Sequence, residues 1–445
     1  MSNTKKSNQR VCIVIGLVLF STVLAICKVY PSNYESLFTP INYGLYGLIW
    51  MAVLISMGCL FSKKTIPGTA EVSTISFIHM MTTLGLACGY FSYVIDPSFI
   101  SVYGEPDPYK HIINWYGPFQ WCIFVPFLLI EIYEMNHRFP KWLEVIKRYT
   151  YAISMMLAIG ISLMAGCNSI PKIIYSLCGF TISPYLLMLP ICILVSISLI
   201  RGVNKGMKLF SNLTMVLMYI VTFSLIILGL SKTLPVNVSK EIAFTYSQFI
   251  TLNIYTGSEF QIKCHAPYLI WAITWIPILS PFARRIGQGR KLRDVVLMMV
   301  LGPSLICALY TAIGKEVFAD SNGIQLLSHY TFLSIIYVVM LILMFTTSAD
   351  STSYSLDESI SRGAKAPVAY RKLIWVIIMC SFISVLMIAG NGSADALYGI
   401  SYITAPLIVV LGLVMGGIMI YRKFKGKKHE ELNYTSCSPI KRNFC

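Results

Sequence analysis

Apolar residues along this chain gather into runs of roughly twenty, and short polar segments between them carry most of the charge. Twenty residues in helical conformation are long enough to cross the hydrocarbon core of a bilayer. Runs bounded by charged or turn residues predict twelve helices, at 11–27, 41–61, 75–95, 112–133, 149–167, 184–200, 211–230, 266–284, 294–314, 326–347, 373–389 and 401–421. The expected fold class is all-α, a polytopic membrane protein. A soluble protein could not bury this much apolar surface.

Charge tests that count. With both termini cytoplasmic, the inward segments hold 28 of the 35 Lys and Arg residues. Outside are Lys28, Lys110, Lys172, Lys232, Lys240, Lys263 and Lys315. Cytoplasmic loops collect basic residues, so adding or dropping one helix would scramble the split. The expected location is the cytoplasmic (inner) membrane, multi-pass. Lys5, Lys6 and Arg10 precede a first run too long for a signal peptide and without a small-residue cleavage site after it. It reads as a retained helix. The division that follows is a cytoplasmic N-terminus at 1–10, two peripheral helices in 11–72, a ten-helix core in 73–421, and a short basic tail at 422–445.

Composition narrows the function classes. Hydrophobic residues make up 56% of the chain and charged ones 12%, about half the usual share of a soluble domain. A net charge of +16 would suggest nucleic acid in a soluble protein; here the cytoplasmic loops account for it, and no nucleic-acid partner is expected. The 13 cysteines are scattered without a C-x-x-C pair, so no metal site is expected. No phosphate-cradling glycine loop is present, which argues against ATP-driven transport. No enzyme chemistry is expected.

Two predicted helices carry breaks: the third at Gly85 and Gly89, the eighth at Pro277 and Pro281. Proline removes a backbone donor and collides with the preceding turn. Freed backbone groups at membrane depth are tolerated inside protein or beside a water-filled cavity. Broken helices five positions apart point to a five-plus-five inverted repeat, one copy at about 73–232 and the other at about 264–421, with substrate bound where helices unwind. Residues 240–257 read as an amphipathic helix on the outer interface.

The eighth segment also presents Tyr268, Trp271 and Trp275 at i, i+3 and i+7, three rings on one face. The fourth holds Trp115-Tyr116-Gly117-Pro118-Phe119-Gln120-Trp121. Such faces at bilayer depth, with no neighbouring carboxylate, suit a cation without hydrogen-bond donors, such as a quaternary ammonium held by cation–π attraction. Interfacial belts are the alternative for tryptophans near helix ends, as Trp115 and Trp121 are.

At these residues the sequence resembles the betaine/choline/carnitine transporter family. Arg284-Arg285-Ile286-Gly287-Gln288-Gly289-Arg290-Lys291-Leu292-Arg293-Asp294 is similar to the family's A-R-I-S-R-G-R-T-I-R-E run. Anchoring there sets Tyr268, Trp271, Trp275 and Pro277 on family aromatic and proline positions, while Cys264, Leu269 and Ala272 stand where the family has tryptophan. Aligning on Gly117 sets Tyr116, Trp121 and Phe124 on the fourth-helix pattern H-W-G-x-x-x-W-x-x-Y. Thr347-Ser348-Ala349-Asp350-Ser351 matches T-S-A-D-S. Asp96-Pro97 and the Gly206 to Asn212 stretch add weaker matches.

The resemblance implies a secondary transporter of glycine betaine, choline, carnitine or a similar compound. Its trimethylammonium group would sit among Tyr116, Trp121, Tyr268, Trp271 and Trp275. It also implies Thr347 and Ser348 as sodium ligands. Antiporting members use an arginine in the seventh helix instead, and residues 213–230 hold no Lys or Arg, which favours an external coupling ion, sodium or proton. His79 is the histidine set clear of helix ends, with a structural role expected. No cofactor is expected beyond the coupling ion. The lipid bilayer is the surrounding partner, and family members are often homotrimers. Substrate/product exchange, an amino-acid cargo and a non-transporting ligand sensor stand as the alternatives.

Overall fold

The computed structural model describes residues 39–86, 90, 94, 107–229, 234–318, 327, 329–361, 369–389 and 395–436. The first predicted helix, residues 1–10, Gly89 and the last part of the basic tail lie outside them. Among the described residues the regular structure is helical, with one isolated bridge between Thr65 and Lys291. The helices are α1 Thr39–Leu60, α2 Thr74–Leu86, α3 Pro108–Trp115, α4 Pro118–Cys122, α5 Val125–Glu134, α6 Lys141–Cys178, α7 Pro184–Arg201 and α8 Lys208–Gly229. They continue as α9 Leu234–Ser247, α10 Phe249–Leu252, α11 Ala266–Thr274, α12 Ile276–Ile286, α13 Leu292–Phe318, α14 Thr331–Ser361, α15 Ala369–Ala389 and α16 Asp395–Ser436. Among the described residues, six helical stretches are long and apolar enough to cross a membrane, or seven if the bent pair Gln261–Thr274 and Ile276–Ile286 counts as one.

Surface and core divide as a bilayer demands. Leu54, Phe223, Ile227 and Leu413 are exposed on α1, α8 and α16, large apolar side chains that water would not tolerate in such density. The interior is built around α6 and α14, which pack along each other, with α11 set against α16. One stretch of α14 is polar yet buried, including Thr346, Thr347, Ser348, Thr352 and Ser353. Its hydroxyls bond back to their own helix: Thr346 to the Ile342 carbonyl at 2.8 Å, Thr352 to Ser348 at 2.8 Å and Ser353 to Ala349 at 2.9 Å. That satisfies these three hydroxyls within the helix.

Segments assigned to one side by charge meet in space. The Lys64–Ile66 strand-like stretch pairs with the basic run after α12: Leu292 N–H donates to Lys64 at 2.8 Å, Ile66 to Arg290 at 2.9 Å and Gly289 to Ile66 at 3.0 Å. Arg285 pairs with Glu71 at 2.8 Å, and the Arg290 guanidinium lies over Phe77 at 4.6 Å. Gly289 has a φ of 74° and a Cβ there would meet Ala70 N at 2.6 Å, so only glycine fits. At the opposite end, Lys315 pairs with Asp107 at 2.7 Å and Glu241 at 2.8 Å. These pairs tie α13 to the start of α3 and to α9.

The helix expected at the interface begins earlier than 240, at Leu234. It does more than lie on a surface. Phe249 packs on Phe119 at 5.5 Å, over the gap between α3 and α4.

Candidate functional site

Two interrupted spans build the site. On the fourth predicted segment, Pro118 has no N–H to give the Asn114 carbonyl, so Gly117 N–H takes that acceptor at 3.0 Å and the helix stops. The chain restarts with Gly117 extended, at φ −79° and ψ 171°. The Tyr116 carbonyl, stranded by this break, accepts from the Trp121 indole N–H at 3.0 Å. The break therefore fixes the orientation of an aromatic side chain. In sequence the 112–133 segment reads as one apolar run; the structure interrupts it at Gly117.

Gly117 is required by space. A Cβ at this position would lie 2.7 Å from Phe249 Cζ, 2.9 Å from the Ile113 carbonyl and 3.1 Å from the Asn114 carbonyl. Carbonyls in a helix end cannot swing away. Gly117→Ala is expected to cost about 1–3 kcal/mol through overpacking, read as a lower apparent melting temperature of the purified protein. Adding Phe249→Ala should recover only part of it, since both carbonyls remain.

On the eighth segment, α11 and α12 meet at 45°. The turn falls at Trp275, whose backbone N–H reaches the Ala272 carbonyl at 3.1 Å. Pro277 lies two residues on, and its missing N–H withdraws the donor that the Ile273 carbonyl would otherwise receive. Pro281 does not break the chain: it lies inside α12, flanked by buried Ile278, Leu279 and Phe282. Packing on both sides holds that helix across one lost bond. Gly85 is the penultimate residue of α2, and Gly89 lies outside the described residues.

The two interruptions face each other. Tyr116, Trp121, Tyr268, Trp271 and Trp275 line one cavity, together with Trp115, Gln120, Phe124, Ala272 and Leu279. Trp115 stacks on Tyr268 at 4.6 Å and 13°, Tyr116 meets Tyr268 at 5.8 Å, Tyr268 meets Trp271 at 5.4 Å, and Trp271 crosses Trp275 at 6.1 Å and 81°. Tyr268 Oη donates to the Trp115 carbonyl at 3.0 Å, and Trp271 Nε1 to Ala158 on α6 at a long 3.4 Å. Among the described residues the lining holds no carboxylate and no fixed cation. Its volume is about 30 Å³, room for a water or two. A trimethylammonium group enters only when the rings part.

Anchoring on Gly117 puts Tyr116 on the family's aromatic position and leaves Trp115 one residue away. Both belong to the lining. Gln120 had no aromatic or charged signal to single it out; only its place in the turn after Gly117-Pro118 marks it.

The sodium candidates lie elsewhere. Thr347 and Ser348 are buried on α14, and Thr347 Oγ1 donates to the Met344 carbonyl at 2.8 Å. Most of the third-segment break that would face them is outside the described residues. His79 Nδ1 contacts Asn212 Oδ1 at 2.9 Å, joining α2 to α8. No cluster of metal-ligating side chains occurs among the described residues.

An all-helical membrane protein with an acid-free aromatic pocket where two spans are interrupted has the form of a transporter. The comparisons with known proteins make this specific. The model of the BCCT family, the betaine/carnitine/choline family transporters, matches residues 137–321 and 321–428, and the chain belongs to that family. It is 27% identical over 260 residues to an ectoine/hydroxyectoine transporter of Virgibacillus pantothenticus, covering 53% of this chain and 52% of that protein. It is 22% identical over 484 aligned positions to a glycine betaine/proline/choline/ectoine transporter of Vibrio parahaemolyticus, covering 90% and 85%. It is 25% identical over 270 residues to the glycine betaine transporter OpuD of Bacillus subtilis, covering 55% and 52%. The chain thus spans about half the length of the first and third of these relatives. Among solved structures, a Na+-coupled sialic acid symporter superposes with a TM-score of 0.46 at 15% identity, covering 86% of each chain.

Proposed function

We propose that this protein is a secondary active transporter that carries a quaternary-ammonium compound, such as glycine betaine, choline or carnitine, across the cytoplasmic membrane. The observation that carries the reading is the convergence of Tyr116, Trp121, Tyr268, Trp271 and Trp275, from two separately interrupted spans, on one cavity without a carboxylate. A carboxylate would serve a cation that offers hydrogen bonds. Aromatic faces alone serve one that does not. The relatives' transport of betaine, choline and ectoine supports the same class of cargo.

The reading includes twelve spans with both termini inside and a five-plus-five repeat whose bundle rocks about the cavity. Coupling is to sodium or to a proton, with Thr347 and Ser348 offering hard oxygen atoms to sodium. Exchange of substrate for product is the second mode on the same site.

The test is uptake of radiolabelled glycine betaine, choline and carnitine into liposomes holding the purified protein, with and without a sodium gradient and with internal substrate for exchange. Flux of at least one is expected. Binding without flux in every format would leave a sensor, and neither binding nor flux would end the reading.

A further inference from the structure

Gln120 and Trp275 line the cavity, and Gln120 Oε1 and Trp275 Nε1 are buried without a hydrogen-bond partner among the described residues. Gln120 is 3% exposed and Trp275 4%. Buried polar atoms are nearly always paired, so two orphans around one cavity point to what the cavity receives.

The orientation of the Gln120 amide follows from its neighbours. Asn253, fully buried, donates from Nδ2 to the Phe249 backbone carbonyl at 2.9 Å and to Asn114 Oδ1 at 2.7 Å. A backbone carbonyl can only accept, so Asn253 cannot be turned over without setting two oxygens against each other. Trp50 Nε1 donates to the Asn253 backbone carbonyl at 3.2 Å, which anchors the residue without bearing on its side-chain amide. Asn253 Oδ1 therefore faces Gln120, which must present Nε2 to it, at 3.4 Å. That leaves Gln120 Oε1 as an acceptor with a fixed sense. Trp275 Nε1 is a donor that cannot change sense.

We propose that Gln120 is a specificity-determining residue, selecting quaternary ammoniums whose polar end carries a hydroxyl over those whose polar end only accepts. This rests on the aromatic-cage reading above. A hydroxyl accepts from Trp275 and donates to Gln120, satisfying both orphans. A carboxylate or ether accepts from Trp275 but leaves Gln120 Oε1 facing oxygen lone pairs. Leaving a buried acceptor unpaired lowers affinity by about tenfold or more.

The experiment is equilibrium binding to the purified full chain of tetramethylammonium, choline, choline methyl ether and glycine betaine, followed by tryptophan fluorescence. Choline is expected to bind at least about tenfold more tightly than its methyl ether. In Gln120→Leu and in Gln120→Met, two variants in case one fails to fold, that ratio should fall to about one. Equal affinity for choline and its ether in the wild type overturns the proposal, as does a ratio that survives both substitutions or tighter binding of glycine betaine than of choline. If tetramethylammonium binds and the choline preference is missing, only this inference falls. If no quaternary ammonium binds, the cage reading falls and takes this with it.

Discussion

Trp271→Ala is expected to weaken binding of a trimethylammonium ligand by about 30-fold or more, the equivalent of the roughly 2 kcal/mol that a desolvated cation–π contact contributes. Trp271 is the middle ring of the set, 5.4 Å from Tyr268 and 6.1 Å from Trp275. It is 4% exposed, so a cation beside it would have shed its water on that side. Tryptophan has the strongest ring face of the three aromatics, so Trp271→Phe should keep an intermediate affinity. The indole N–H contributes little, since its bond to Ala158 is long at 3.4 Å. Removing a buried ring also leaves a cavity that can cost about 3–5 kcal/mol of stability. Binding isotherms of tetramethylammonium are therefore paired with melting curves. An alanine variant that melts near the wild type and binds with unchanged affinity would remove Trp271 from the site.

Much of this arrangement is written locally. The spacing of Tyr268, Trp271 and Trp275 places three rings on one helix face whatever the rest of the chain does, and Pro277 marks the bend to within two residues. The lining is harder to read because it depends on distant partners. Gln120 is oriented by Asn253, 133 positions away, and Gly117 is confined by Phe249. Neither pairing leaves a periodic trace.

Proline was a good guide at Pro277 and a poor one at Pro281, because a lost bond breaks a helix only where packing does not hold both sides. The hydroxyl of Thr347 shows a similar ambiguity. The family resemblance implies it as a sodium ligand, while the helix already offers it the Met344 carbonyl. Charge segregation grouped Lys63, Lys64 and the Arg284–Asp294 run on one side, and the bonds between Lys64, Ile66, Arg290 and Leu292 bring those segments together. The pairing of Arg285 with Glu71 depends on the tertiary fold, which no local rule supplies.

Lys147→Met should be the most damaging single substitution for folding. Lys147 Nζ, on α6, binds Glu131 at 2.7 Å and also Glu134, both on α5, and lies 5.0 Å from the Tyr151 ring centre. Its side chain is 11% exposed, and those of Glu131 and Glu134 are 8% and 23% exposed. Glu131 and Glu134 sit one helical turn apart and repel each other. Remove the ammonium and two like charges remain in a poorly hydrated site, a loss of about 3–5 kcal/mol by the usual cost of breaking a buried pair. The yield of monodisperse protein and its melting temperature should both fall. Lys147→Arg should restore most of the loss, since it keeps the charge, although a planar fork fits two carboxylates on one helix less well than a compact ammonium. The sharper comparison is the triple variant Lys147→Met, Glu131→Gln, Glu134→Gln. If uncompensated charge is the cause, removing all three charges should recover stability that removing one destroys. If the triple variant is as unstable as Lys147→Met, the damage lies in lost packing of the lysine stem against α5, and the electrostatic account is wrong.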